Sequence, residues 1–432
     1  MPAKFSVPKS NSLNVSMIVI GDEILNGRTS DLNGSFLSRY LFKKGLHFKS
    51  LRFIHDDESD LIKALDDSFN ESDIVITSGG IGPTLDDKTK NILAKYFGKK
   101  IIERQDVADV VTKNYSQFGR NWTPSQNFYH HFPKDFFAIN NPRGLAPGLG
   151  FFDSDKQKLI LAGPGVPREF TEIVELEFFP LMKKYFEKRL VENYQTVIRT
   201  KNIPEEKIFY ELCPTLWDEL SVFGKVSSLP HTIGIDIVIS YEGSLKEHEN
   251  KQKKINEHIQ NSKLSSFVWQ YGNVPINELV LKKAIDKKVT ISFAESCTGG
   301  LTSSKITDLP GSSQIFMGSI VSYSNDTKTH LLNVSSETLK NFGAVSIEVA
   351  TQMALGALNE FKTDYAISLT GIAGPEGGSE KKPEGFVVIG YASKKKNGAR
   401  FFQFPGDRIR RKDRFSDMAL LTLLELMNDL SE

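Results

Sequence analysis

The sequence predicts an α/β protein in three parts: a three-layer N-terminal domain, a small α+β middle module and an α/β C-terminal domain. Three observations carry this expectation. At 432 residues the chain exceeds what one hydrophobic core usually organises, so two or three domains are expected. Strand-like apolar runs alternate with helical patterns over residues 1–184 and again over 273–432, the pattern of right-handed βαβ units around a largely parallel sheet. Between them, over 185–272, the pattern shifts to a few short elements and one charged helix.

In the first part strands are expected over 15–20, 47–54, 73–77 and 158–162, with helices over 32–44 and 61–68. The apolar runs end in Gly21-Asp22-Glu23 and Ser78-Gly79-Gly80. Their polar ends therefore share the carboxyl edge of the sheet, where ligands bind in such folds. The middle module reads as a strand over 196–200, a short helix over 205–212, a strand over 233–240 and a solvated amphipathic helix over 245–263; residues 269–275 read as a connector. The last part opens with a helix from Ile276 and a strand over 289–293 that runs into Ser296. Strands over 365–369 and 386–392, a Lys394-Lys395-Lys396-Asn397-Gly398 hairpin turn and a closing helix over 410–430 follow.

Composition narrows the function classes. Lys plus Arg (54) nearly cancels Asp plus Glu (53), and no basic, aromatic-rich face stands out, so direct nucleic-acid contact is not expected and small molecules are. The two cysteines, Cys213 and Cys297, make neither a disulfide framework nor a structural zinc set, which fits a reducing cytoplasm. No apolar run approaches a membrane span, and the polar start with Pro2, Pro8 and Lys9 reads as neither signal peptide nor anchor.

Two stretches carry chemistry. Ala294-Glu295-Ser296-Cys297-Thr298-Gly299-Gly300 sits where a strand turns into a helix. Free N–H groups of a first helical turn can hold an anion or a developing oxyanion there, and paired glycines let a ligand approach. The plainer reading makes Ser296 an N-cap. Ser78-Gly79-Gly80-Ile81-Gly82-Pro83-Thr84-Leu85-Asp86-Asp87 is a glycine-rich turn with two carboxylates downstream, suited to a phosphate bridged by a divalent metal. Asp22, Glu23, Asp56 and Asp57 also follow strands and converge on that edge. The plainer reading of the Asp pair is a helix N-terminus.

Gly21 to Gly27 with Asp31 and Asn33, Gly79 to Asp87, Asn141 to Gly148 and Gly163 to Glu169 resemble the N-terminal domain of CinA-type competence/damage-inducible proteins, itself related to molybdopterin-binding proteins of the MogA/MoeA type. That resemblance implies a metal-dependent ADP-ribose pyrophosphatase giving AMP and ribose 5-phosphate, with a divalent ion of the Mg or Co type. Asp56 and Asp87, with Asp86, are the implied metal ligands, and Asp22, Asn33, Gly79, Gly80, Gly82 and Thr84 the implied substrate contacts. The chain departs from the family at Asn127-Phe128-Tyr129-His130-His131 and at Asn202-Ile203-Pro204-Glu205-Glu206. His130 and His131 are read as surface or packing residues, because adjacent strand residues point to opposite faces.

The last part resembles the other half of that family and stand-alone nicotinamide mononucleotide deamidases. The resemblance rests on Ala294 to Gly300, Ile306-Thr307-Asp308 with Gly311-Ser312-Ser313, Val321 to Asn325 with Lys328, Gly343 to Ser346, Thr370 to Pro375 with Gly377-Gly378-Ser379, Lys382 to Gly385, and Gly406-Asp407-Arg408. It implies hydrolysis of the carboxamide of nicotinamide mononucleotide to nicotinic acid mononucleotide and ammonia, in pyridine-nucleotide salvage. Amide hydrolysis needs an activated nucleophile, oxyanion donors and an acid for ammonia. His330 is the only histidine of this part and Cys297 lacks a partner, which leaves a serine with a lysine base. Lys328 is that base, its pKa lowered by its surroundings. Ser296 and Ser313 both begin helices; the reading favours Ser313 as nucleophile, with Ser296 and Thr298 touching substrate, but sequence alone does not separate the two serines. Tyr323 relays a proton or holds the ring. Arg408 and the 371–378 loop, with Gly371 and Gly374, meet the phosphate. Gly299, Gly300, Ser312, Asn325 and Thr370 complete the expected contacts, and no cofactor is expected at this site. A homodimer is expected. The rival readings are a non-catalytic nucleotide- or pterin-binding module and a competence or DNA-repair accessory.

Overall fold

The computed structural model describes residues 13–84 and 87–429. They form two compact units, one holding residues up to Gln195 with Ser240–Lys251, the other Thr196–Ile239 with Gln252 onward.

In the first unit, strands β1 (Asn14–Ile20), β2 (His47–Ile54), β3 (Ile74–Ser78), β6 (Phe137–Ile139), β7 (Gly148–Asp153) and β8 (Lys158–Gly163) form one six-stranded sheet in the order β2-β1-β3-β8-β7-β6. β4 (Ile101–Glu103) and β5 (His131–Pro133) pair antiparallel beside it. β2, β1, β3 and β8 run parallel, whereas β7 and β6 are antiparallel additions. The period of two along β1 sets the three layers. Val15, Met17 and Val19 face a core with Leu37 and Leu41 of α2 (Asn33–Lys43) and Phe170 of α6 (Pro167–Ile173). Ile18 and Ile20 face another, with Leu61 and Leu65 of α3 (Glu58–Glu71), Ile92 of α4 (Thr89–Tyr96) and Val107 and Val111 of α5 (Gln105–Gln117). Both faces are covered, so the strands read as nearly continuous apolar runs. β3 leaves the sheet at Gly79, whose φ is 109°; a Cβ there would stand 2.4 Å from the Ile20 carbonyl oxygen, so only glycine fits.

A small sheet, β10-β11-β9-β12, is built from β9 (Asn193–Thr200), β10 (Lys225–Pro230), β11 (Ile235–Glu242) and β12 (Val268–Tyr271). The expected connector at 269–275 therefore begins as an edge strand: β12 pairs antiparallel with β9, and Trp269 packs on the neighbouring core. The charged helix is α9 (Leu245–Gln260), in which Ile255 and Ile259 are buried.

The remaining sheet is β14-β13-β15-β16-β17, from β13 (Ile291–Glu295), β14 (Phe316–Val321), β15 (Tyr365–Gly371), β16 (Phe386–Ser393) and β17 (Asn397–Gln403). β14, β13 and β15 run parallel and the β16–β17 hairpin antiparallel. α10 (Ile276–Lys287), α11 (Leu301–Thr307) and α15 (Arg408–Asp429) cover one face, where Ile291, Phe293, Phe415 and Leu420 meet. α12 (Asn325–Leu332) and α14 (Ile347–Phe361) cover the other, with Ala294, Leu332, Met353 and Ala366. The carboxyl ends of β13, β14 and β15 consequently open on one edge. Among the described residues no helix is long and apolar enough to cross a membrane.

Candidate active site at the carboxyl edge of the C-terminal sheet

β13 ends in Glu295, a fully buried carboxylate. Its Oε2 accepts from Thr298 Oγ1 at 2.7 Å, Gly300 N at 3.0 Å and Thr302 N at 3.1 Å, and its Oε1 accepts from Ser303 N at 2.9 Å and Ser303 Oγ at 2.6 Å. A carboxylate at a helix N-terminus is stabilised by these donors and by the helix dipole. This corrects two expectations. The N–H groups of Gly300, Thr302 and Ser303 that were to receive a substrate anion are occupied by Glu295, and the Thr298 hydroxyl is held by the same carboxylate. Gly299 and Gly300, at φ 66° and 95°, shape the turn. The role of Glu295 escaped sequence reading because a carboxylate inside an apolar strand announces neither its burial nor its partners.

The turn carries Ser296 into a cavity of about 260 Å³, lined also by Cys297, Tyr323, Lys328, Ala344, Thr370, Gly374 and Arg408. Lys328 lies one turn into α12, whose N-terminus is capped by Ser324. Its side chain is only 1 % exposed. The Nζ donates to Ser296 Oγ at 3.1 Å, to the Ser322 carbonyl at 2.7 Å and to the Tyr323 carbonyl at 3.4 Å. Burial holds its pKa below the usual lysine range. Burial pushes the neighbouring Cys297 thiol up to about 12, so Cys297 stays protonated and makes a poor nucleophile at neutral pH.

Tyr323 and Arg408 stand at the exposed rim. Arg408 donates to the Gly374 carbonyl at 2.7 Å and to the Tyr323 hydroxyl at 3.3 Å. The Thr370 hydroxyl donates to the Ala344 carbonyl at 2.8 Å and fixes the floor. At Gly374 a Cβ would stand 2.5 Å from Arg411 Nη1, so glycine lets the loop pack against that guanidinium, itself paired with Glu384 at 2.8 Å.

Ser313 is elsewhere. It is exposed, in the short turn Ser312–Gln314 that enters β14 from its amino end. β14 runs parallel to β13 with Ile291 opposite Phe316 and Glu295 opposite Val321. The length of β13, about 13 Å at some 3.3 Å per residue, thus separates Ser312 and Ser313 from Ser296. Asn325 is exposed at the start of α12 and does not line the cavity. Of the two candidate serines, Ser296 is the one beside the lysine.

In the first unit the predicted residues gather less tightly. Asn33 is buried and its Nδ2 donates to Ser78 Oγ and to the Gly165 carbonyl, both at 2.8 Å, tying three predicted turns together. Asp22 accepts from His55 at 2.6 Å, which raises that imidazole's pKa, and Asp22 N lies 3.4 Å from Asp56 Oδ2. Asp87 turns back on its own loop: its Oδ2 accepts from Thr84 N at 3.0 Å and from the Thr84 hydroxyl, and it packs against Gly82. Gly80, at φ 69°, is closed over by the Thr89 hydroxyl. Asp86 lies outside the described residues. Glu169, not singled out by sequence, is half-buried, accepts from Asn141 at 2.8 Å and has its pKa raised by burial.

Among the described residues, no group of three carboxylate, His or Cys ligands within 4.8 Å of one another includes Asp56 or Asp87; the group of that kind is Glu103, His130 and His131. The expectation of opposite faces for the two histidines fails because only His131 belongs to β5. His130 lies in the preceding turn, and the two rings meet edge to face at 4.5 Å.

Residues 16–184 match the family described as probable molybdopterin binding domain, and residues 273–427 match the CinA C-terminal domain. A putative competence-damage inducible protein of Caldicellulosiruptor saccharolyticus is 35% identical over 94% of this chain and 97% of its own length. A CinA-like protein of Chloroherpeton thalassium is 33% identical over 95% of this chain and 99% of its own. Among solved structures, a competence/damage inducible protein from Agrobacterium tumefaciens is 35% identical, covering 38% of this chain and all of that one, with a TM-score of 0.33. The chain belongs to the CinA family of competence-damage inducible proteins, with a MogA-like domain at its N-terminal end and a CinA domain at its C-terminal end.

Proposed function

We propose that the C-terminal domain hydrolyses the carboxamide of nicotinamide mononucleotide to nicotinic acid mononucleotide and ammonia. The observation that carries the reading is a buried lysine amine 3.1 Å from the hydroxyl of Ser296 in a cavity rimmed by Arg408. Neutral Lys328 takes the proton of Ser296 Oγ as that oxygen attacks the carboxamide carbon. The resulting ammonium returns the proton to the amide nitrogen as the C–N bond breaks and ammonia leaves. Water, deprotonated by the same amine, then attacks the acyl carbon; the C–Oγ bond breaks, the Lys328 ammonium returns the proton to Ser296 Oγ, and nicotinic acid mononucleotide leaves. A cavity of about 260 Å³ is small for a whole nucleotide, so the phosphate lies at the rim against Arg408. Ammonia release from the mononucleotide tests the reading: Ser296→Ala and Lys328→Ala abolish it, and Ser313→Ala keeps it.

For the N-terminal domain the proposal is ADP-ribose pyrophosphatase activity supported by a divalent cation of the Mg or Co type. The glycine turn and the Asn33–Ser78–Gly165 cluster suit a phosphorylated ligand. The described residues do not offer a ready cation cage at Asp56 and Asp87. That same observation favours the second reading, a nucleotide- or pterin-binding module without turnover. ADP-ribose that binds but is not cleaved with either ion selects the second reading. A cytoplasmic homodimer acting on small nucleotides, without direct nucleic-acid contact, belongs to the proposal.

A further inference from the structure

We propose that Glu103, His130 and His131 form a binding site for a borderline transition-metal ion of the zinc class, built from residues used in neither proposed active site. One ligand atom from each residue lies within 4.8 Å of the other two. A tetrahedral ion with bonds of about 2.1 Å needs ligand atoms about 3.4 Å apart, and His131 Nε2 stands 3.4 Å from Glu103 Oε1.

The backbone builds this grouping. Glu103 and His131 are direct cross-strand partners in the β4–β5 ladder, and the Arg104 amide donates to the His130 carbonyl at 3.0 Å. Glu103 therefore faces both histidines. The rings are held by packing: Trp122 meets His130 edge-on at 5.6 Å, and Phe128 meets His131 at 5.2 Å. Ligands whose orientation is already fixed lose little freedom on binding.

A further observation points to a ligand at this site. The Nδ1 atom of His130 is buried and has no hydrogen-bond partner, which is unusual for an imidazole nitrogen. Ligation through Nδ1 would satisfy it. The nearby cations are engaged elsewhere: Arg104 is held by Asp106 and by the carbonyls of Pro133 and Phe136, and Lys90 donates to the Phe128 carbonyl at 2.9 Å.

Two imidazoles and one carboxylate select zinc, nickel or copper over magnesium or calcium, which prefer all-oxygen sets. Three protein ligands leave a fourth position for water.

The test uses the full chain, freed of any affinity tag and stripped with a chelator. Zn2+ is titrated in competition with a chromophoric chelator, and Co2+ is followed by visible absorption. One Zn2+ per chain and a tetrahedral Co2+ spectrum are expected, unaffected by excess Mg2+. Because loss even of an outer-shell partner weakens metal sites by roughly 10- to 100-fold, His131→Ala and Glu103→Gln should each weaken Zn2+ at least tenfold. His258→Ala, which removes a histidine paired with Glu219, should leave it unchanged. His130→Ala also removes a packed ring, so the half-exposed His131 and exposed Glu103 provide the decisive variants. Zn2+ should raise the melting temperature of the wild type and of His258→Ala, but not of the other two. Equal Zn2+ affinity in wild type, His131→Ala and Glu103→Gln would overturn the proposal.

Discussion

Replacing Lys328 by methionine keeps a long unbranched side chain in a buried slot while removing the amine that donates to Ser296 Oγ. General-base catalysis contributes about 10²- to 10⁴-fold, so kcat for ammonia release should fall by about that factor. Stability should move little, because two effects oppose. Losing the donor to the Ser322 carbonyl at 2.7 Å costs about 1–3 kcal/mol. Removing an amine whose charged form is disfavoured by burial offsets part of that loss at neutral pH. The net change should stay within about 2 kcal/mol by these figures. The pH dependence has a definite sign. Only neutral Lys328 accepts a proton, so wild-type kcat should rise with pH through a midpoint below the unperturbed lysine value of about 10.4. Since the folded-state pKa is depressed, the penalty Lys328 places on the fold fades as pH rises from the folded pKa towards that unfolded value. The wild type should gain on the methionine variant over that window. The assays are ammonia release against pH and parallel denaturant titrations. A variant keeping more than a tenth of wild-type kcat, with an unchanged pH profile, would refute the role of Lys328 as base.

Three further outcomes follow from the same geometry. Ser296→Ala should abolish ammonia release while leaving nucleotide binding measurable by calorimetry, and Ser313→Ala, at the other end of β13, should leave kcat within about twofold because the sheet separates the two edges. Glu295→Gln places an NH2 against either the donors on Oε2 or those of Ser303. With bonds to a charged group worth about 1.5–3 kcal/mol each, the loss should be on the order of 3 kcal/mol in chemical denaturation. Arg408→Ala should raise KM for nicotinamide mononucleotide at least tenfold with kcat little changed, and should not alter any turnover of the dephosphorylated nucleoside, since a rim arginine binds ground and transition states alike.

The layered architecture was legible because both large sheets are covered on two faces, and their strands stand out as apolar runs such as Met17–Ile20 and Ile291–Phe293. β14 was not legible: Phe316–Val321 is interrupted by Gly318 and Ser319 and at most half-buried. Missing it hid the fact that Ser313 enters the sheet from the wrong end. β12 was missed for a similar reason, four partly exposed residues read as a connector. Lys328, Tyr323 and Arg408 could be picked out by residue type and motif order, and all three line one cavity with Ser296. Glu295 could not, since its role depends on turn donors that only the folded backbone brings to it. The Glu103–His130–His131 grouping was hidden because alternation of side chains holds inside a strand and lapses at its first residue.

The most direct measurement of the central claim is to quench the wild-type protein during turnover of nicotinamide mononucleotide and locate any covalent acyl adduct by peptide mass spectrometry. The adduct should sit on Ser296, its yield rising when water attack is slowed and vanishing in Lys328→Met. An adduct on Ser313 or Cys297, or steady ammonia release from Ser296→Ala, would contradict the assignment of the serine beside the buried lysine as the nucleophile.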